Sequence, residues 1–118
     1  MGKAGNIVQE KAFRFAVRVV RLSRFLQKEQ SEYVLSKQIL RSGTSIVANI
    51  EEALAGQSRK DFAAKMAIAS KETRETRYWL RLLKETDYLE PRLAISLEED
   101  SDELIKLLTS IVKSSKEA

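Results

Sequence analysis

Glu51-Glu52 and Glu72-x-x-Glu75 are the residues whose type and spacing come closest to a reaction centre in this sequence. Carboxylates alone can hold Mg²⁺, and two such pairs converging across a helical hairpin would suit hydrolysis of a nucleotide. The rest of the chain gives that chemistry little support. It has no histidine and no cysteine, which removes the commonest general base and transition-metal ligand. Thiolate metal sites, thiol nucleophiles and disulfides go with them. Di-iron bundle chemistry needs a Glu-x-x-His motif and is excluded. The simpler assignment pairs Glu72 with a cation such as Arg41 or Lys65, and no catalytic residue, metal, cofactor or small-molecule substrate is expected.

Cations form the more extensive pattern. Lys11, Arg14, Arg18 and Arg21 are spaced 3, 4 and 3 apart, which makes one continuous stripe on a helix. Arg59, Lys60, Lys71, Arg74, Arg77, Arg81 and Lys84 fall within about 140° of arc on another. Such stripes neutralise phosphates without reading bases, so Lys11, Arg14, Arg18, Arg21, Arg74, Arg77 and Arg81 are assigned as a nucleic-acid surface for RNA or DNA. A second reading stands beside it. Charge alternates along the chain, with nets of +6 over 1–28, −2 over 29–57, +4 over 58–86 and −4 over 87–118. The arginines can equally dock on an acidic segment, because guanidinium suits carboxylate as well as phosphate.

These side chains need helices to carry them. One proline and four glycines in 118 residues are too few for a strand-and-turn architecture. The length makes one domain over 1–118, able to bury about two-thirds of its unfolded surface in a single core. Helix 1 is expected from about Ile7 to Gln27. Its apolar residues (Phe13, Phe15, Ala16, Val17, Val19, Val20, Leu22, Leu26) sweep roughly 220°, about twice what a monomer's surface helix needs. The surplus predicts a second packing partner, most simply another copy of the chain.

Helix 2 is expected after an N-cap at Ser31 and runs to about Leu54, with Leu35, Ile39, Ile46, Ile50 and Ala53 on its apolar face. Gly43 lies inside that face, where it implies a close helix–helix approach, and Gly56 is expected to form a left-handed C-cap. Asn49, on the flank, is expected to hydrogen-bond a neighbouring helix. Ser58 caps helix 3, with Asp61 at its third position. That helix runs to about Thr86, with Phe62, Ile68, Ala69, Trp79, Leu80 and Leu83 facing the core. The acidic run Glu98–Glu103 interrupts the apolar stripe that follows, so helix 4 is expected to begin near Leu97 or Asp102 rather than at Pro91, and residues 114–118 to fray. Short links between four such segments give an up-down-up-down antiparallel four-helix bundle. No apolar run reaches the ~18–20 residues of a membrane span. Neither a signal peptide nor a myristoylation motif is read, so a cytoplasmic protein is expected.

The run Arg41-Ser42-Gly43-Thr44-Ser45-Ile46-Val47-Ala48-Asn49-Ile50-Glu51-Glu52-Ala53, followed by Gln57–Phe62, Ile68–Glu72 and Glu75–Leu83, resembles the bacterial family named for proteins encoded in intervening sequences of 23S ribosomal RNA genes. Gly43, Asn49, Glu52, Ser58, Glu72 and Trp79 are the structural signature it shares. The chain departs at Val47 and Ala53, where many members carry proline and glycine. The resemblance implies a four-helix bundle assembled as a ring-shaped homopentamer. It also implies kinship with the accessory variability protein of diversity-generating retroelements, a basic pentamer that engages nucleic acid. For the branch resembled here, molecular function is largely unassigned.

Overall fold

The computed structural model describes residues 2–117. Four helices, α1 (Gly2–Gln30), α2 (Leu35–Ala55), α3 (Arg59–Glu85) and α4 (Pro91–Glu117), account for the secondary structure, with no strand among the described residues. The particle measures 46 × 20 × 18 Å, and its long axis is about the length of α1 at 1.5 Å per residue. Each helix packs on its neighbours in sequence and α1 closes against α4, while the backbones of the diagonal pairs α1/α3 and α2/α4 stay apart.

Every helix contributes a buried stripe at 3–4-residue spacing. Val8, Phe15, Val19, Leu22 and Leu26 of α1 meet Ile39, Ile46 and Ile50 of α2, Met66, Leu80 and Leu83 of α3, and Leu97, Leu104 and Leu108 of α4. Along the α2/α3 seam, partner numbers fall on α3 as they rise on α2, from Ser42 with Thr76 to Glu52 with Lys65. Thr76 Oγ1 lies 2.8 Å from Ser42 Oγ, a buried hydroxyl pair in the middle of that seam.

The close approach expected at Gly43 is present. A Cβ there would lie 2.6 Å from Val19 Cγ1, so α1 and α2 touch where only glycine fits. At Gly5, on the same seam, a Cβ would lie 2.9 Å from Leu54 Cδ2, the end of a flexible side chain that can move aside. Ser58 caps α3, accepting from the Asp61 N–H at 3.0 Å.

Several local expectations are corrected. Ser31 does not cap α2. It adopts a positive φ of 53°, and the turn swings Glu32 under the helix start, where its carboxylate accepts from the N–H groups of Val34, Leu35 and Ser36 at 3.2, 3.0 and 2.7 Å. Gly56 is extended (φ −67°, ψ 156°), not left-handed. The left-handed position falls at Asp87 (φ 67°) after α3, where the Tyr88 N–H reaches Leu83 O and the Asp87 N–H reaches Lys84 O, a Schellman closure. Ile68 is 42% exposed rather than in the core. Met66, Thr73 and Thr76 line the buried face instead, with the Thr73 and Thr76 hydroxyls donating to Ala69 O and Glu72 O. Trp79 is half-buried against the core's edge.

α4 begins at Pro91 and continues to Glu117, so it neither starts late nor frays over 114–117; Ala118 lies outside the described residues. The acidic run stays helical because its carboxylates have partners on the adjoining helices.

Candidate nucleic-acid interface

Glu98 and Asp102 sit four apart on the flank of α4 that faces α3, and Asp100 and Glu103 sit three apart on the flank that faces α1. Each flank meets a basic stripe. On the α3 side, Lys84 reaches Glu98 at 3.0 Å and Arg77 Nε reaches Asp102 Oδ1 at 2.6 Å. On the α1 side, Arg18 pairs with Asp100 at 2.5 Å while also donating to Ser96 Oγ at 3.1 Å, and Lys11 pairs with Glu103 at 3.2 Å. Four ion pairs therefore clasp α4 from both sides.

This divides the seven assigned cations. Lys11, Arg18 and Arg77 are tied to α4. Arg14 pairs with Glu10 on its own helix, with both side chains largely in solvent. Arg21, Arg74 and Arg81 are exposed and form no ion pair among the described residues. Because α1 and α3 are diagonal, the two stripes do not merge into one surface on a single chain.

The carboxylates read as a possible metal centre do not converge. Glu51 accepts from Gln9 of α1 at 2.7 Å and Glu52 pairs with Lys65 at 2.8 Å. Arg41 bridges Glu72, at 3.1 Å, and Glu75. The Trp79 indole N–H donates to Glu75 at 3.0 Å. Burial pushes the Glu75 carboxyl up, but the Trp79 and Arg41 donors outweigh it and hold its pKa below the ordinary value. Among the described residues no three acidic side chains come together to hold a cation. Glu72 thus pairs with Arg41 as the simpler assignment required.

The signature residues have structural partners. Glu52, Glu72 and Trp79 belong to the α2/α3 seam just described, Gly43 to the α1/α2 contact, and Ser58 to the α3 cap. Asn49 departs from expectation: its amide donates to Ser45 O of its own helix at 2.8 Å, not to a neighbour. Such back-bonding to the preceding turn satisfies a mid-helix amide locally.

Two surface features remain. The surplus apolar arc of α1 is left open, with Phe13 60% exposed, and Phe25, outside that arc among the basic residues, is 40% exposed. Phe13, Val17 and Val20 line a groove with Thr44 and Val47 of α2, and Phe25 lines a second with Leu93 of α4. The other feature is a shallow groove between α3 and α4, rimmed by Arg59, Lys60, Lys113 and Lys116. Its α3 cations belong to the stripe read from the sequence. Its α4 lysines were not assigned, because they follow the acidic run and only the packing of α4 beside α3 brings them alongside.

No helix among the described residues is long and apolar enough to cross a membrane. In comparison with known proteins, the profile of the family described as "23S rRNA-intervening sequence protein" matches residues 5–110. Among solved structures, the chain is similar to a protein with unknown function from the S23 ribosomal protein family of Bacteroides thetaiotaomicron VPI-5482. The two are 55% identical with a TM-score of 0.91, over 93% of this chain and 98% of that one. No curated protein matches.

Proposed function

The chain belongs to the 23S rRNA-intervening sequence protein family, and from that premise we propose that it is a non-enzymatic, cytoplasmic, homo-oligomeric bundle that binds nucleic acid through the cations its fold does not use. The bundle is read as up-down-up-down antiparallel, a topology supported by the opposed order of partners along the α2/α3 seam.

The observation that carries the reading is the division of charge. α4 absorbs Lys11, Arg18, Arg77 and Lys84, and Arg21, Arg74 and Arg81 face solvent in a chain of net +4. Guanidinium groups so placed suit phosphates in a sequence-independent contact. Repetition around a homo-oligomer, the pentamer that the family resemblance implies, multiplies the field each copy contributes. The open apolar arc of α1, with Phe13 at its centre, supplies a face for a second copy.

The test is retention on an RNA or DNA probe as salt is raised. A protein contacting several phosphates loses orders of magnitude in affinity between 50 and 200 mM salt. An affinity indifferent to salt, or none at 50 mM, rejects the reading. A second reading, a scaffold whose charges serve packing alone, is favoured by one specific observation: Lys11, Arg18 and Arg77 are already paired within the chain. It predicts assembly without retention.

A further inference from the structure

The groove between α3 and α4 gathers four cations, where the two apolar grooves beside α1 hold two each. Along its length the lining includes Arg59 and Lys60 from the start of α3 and Lys113 and Lys116 from the end of α4, and no carboxylate among the described residues. All four cations are exposed, and none pairs with a described carboxylate. Arg74 continues the line on α3, four residues beyond Ser70, and Lys106 continues it on α4, seven before Lys113.

The floor decides which polyanion fits. It is built from Ala63, Ala67, Ser70 and Thr109, with Val112 half-buried at its base. A protein partner needs large apolar or aromatic anchors at the centre of its contact, and this floor has none. A single strand needs aromatic faces on which bases stack, and none lines the groove. A duplex backbone needs only cations, small hydroxyl donors and room to approach, which is what is present. From Arg59 to Arg74 the line spans 15 helical rises, about 22 Å, which equals some six base-pair steps of rise along a duplex axis.

We propose that the α3–α4 groove binds the phosphate backbone of duplex nucleic acid without reading its sequence. The proposal rests on the nucleic-acid reading above and centres the contact on Arg59, Lys60, Lys113 and Lys116, with Arg74 at its edge and Arg21 outside it.

The experiment uses the full chain and a fluorescent RNA duplex of about 20 base pairs, titrated by anisotropy from 50 to 200 mM salt. The variant R59Q/K60Q/K113Q/K116Q is compared with R14Q/R21Q on α1, and circular dichroism and molar mass establish that each is folded and assembled. The groove variant is expected to lose at least tenfold in affinity at 50 mM. The steepness of its log–log salt dependence should fall by about 3 to 4, near 0.9 for each phosphate contact removed. The α1 variant, which takes Arg21 from the wider basic surface, should lose several-fold less than the groove variant does. Ala64→Glu, which places one anion on an exposed lining position, should also weaken binding and serves if the quadruple variant does not fold.

If the α1 variant loses affinity and the groove variant does not, the placement is overturned while nucleic-acid binding stands. Equal losses, or tighter binding to the single strand of the same sequence, also overturn it. If the unmodified protein does not bind at 50 mM, the underlying reading fails and this proposal with it.

Discussion

The Glu32 carboxylate lies 2.7 Å from the Ser36 backbone N–H, beneath the first turn of α2. Glu32 is almost wholly buried, and the Ser36 hydroxyl returns a bond to Glu32 O at 2.8 Å. Four orphan N–H groups open every α-helix, and here one side chain satisfies three of the donors at the start of α2. Burial pushes the Glu32 pKa up, but the N–H donors of Leu35, Ser36 and Val34 outweigh it and hold the group below its ordinary 4.5. A carboxylate depressed in the folded state stabilises above its unfolded pKa, and that contribution is lost as pH falls through the folded value. Glu32→Ala is therefore expected to cost about 1–2 kcal/mol at pH 7, the range of a lost N-cap. The cost should shrink below the ordinary glutamate pKa of 4.5. Urea unfolding of both proteins at pH 7 and in acid checks it; an equal gap at both pH values refutes the charged cap.

Gly43→Ala is expected to destabilise by about 1–3 kcal/mol, the cost of overpacking, because the added methyl would meet Val19 at 2.6 Å. On helix propensity alone the same change would stabilise by ~1 kcal/mol, so the sign of the shift in denaturation midpoint decides between the two effects. Val19→Ala in the Gly43→Ala background should recover part of the loss.

The four pairs that clasp α4 differ in worth. Lys84–Glu98 is the most sheltered, with side chains 26% and 12% exposed, whereas Lys11–Glu103 is open at 40% and 54%. Lys84→Met leaves a largely buried carboxylate without its partner and is expected to cost about 1–3 kcal/mol. Lys11→Met should cost under about 0.5 kcal/mol, as exposed pairs do. Urea midpoints measured side by side test the order, and equal effects would contradict it.

Phe13→Arg is expected to lower the molar mass in solution toward the 13.4 kDa of one chain while leaving helical content unchanged. Phe13 is 60% exposed, so its loss removes little from the core of a single copy. Light scattering at micromolar concentration gives the answer. An unmodified protein that already runs at the mass of one chain would reject the homo-oligomer outright.

Features set by neighbouring residues were legible before the structure. The helix count, the Ser58 cap and the Gly43 contact each depend on a pattern a few residues long. The Arg41–Glu72 pair was legible too, since a three-residue link leaves helices 2 and 3 little freedom of placement. What depended on tertiary partners was not. The acidic run of α4 read as a helix break because Lys84, Arg18, Arg77 and Lys11 are distant in sequence. Ser31 read as a cap by residue type, and only its positive φ gives that role to Glu32. In the candidate interface, both stripes were visible as charge, but which arginines the bundle consumes was not. The α4 side of the basic groove emerges only when Lys113 and Lys116 are brought beside α3.

The Ser42–Thr76 hydroxyl contact has a consequence for how the seam is indexed. Sliding α2 along α3 by one turn, about 5.4 Å, would set Thr76 opposite Ile46 and Ser42 opposite Leu80, both wholly buried hydrocarbon. Each hydroxyl would then meet a side chain that can neither give nor take a hydrogen bond, and a slip that a greasy interface alone would tolerate is closed in that direction.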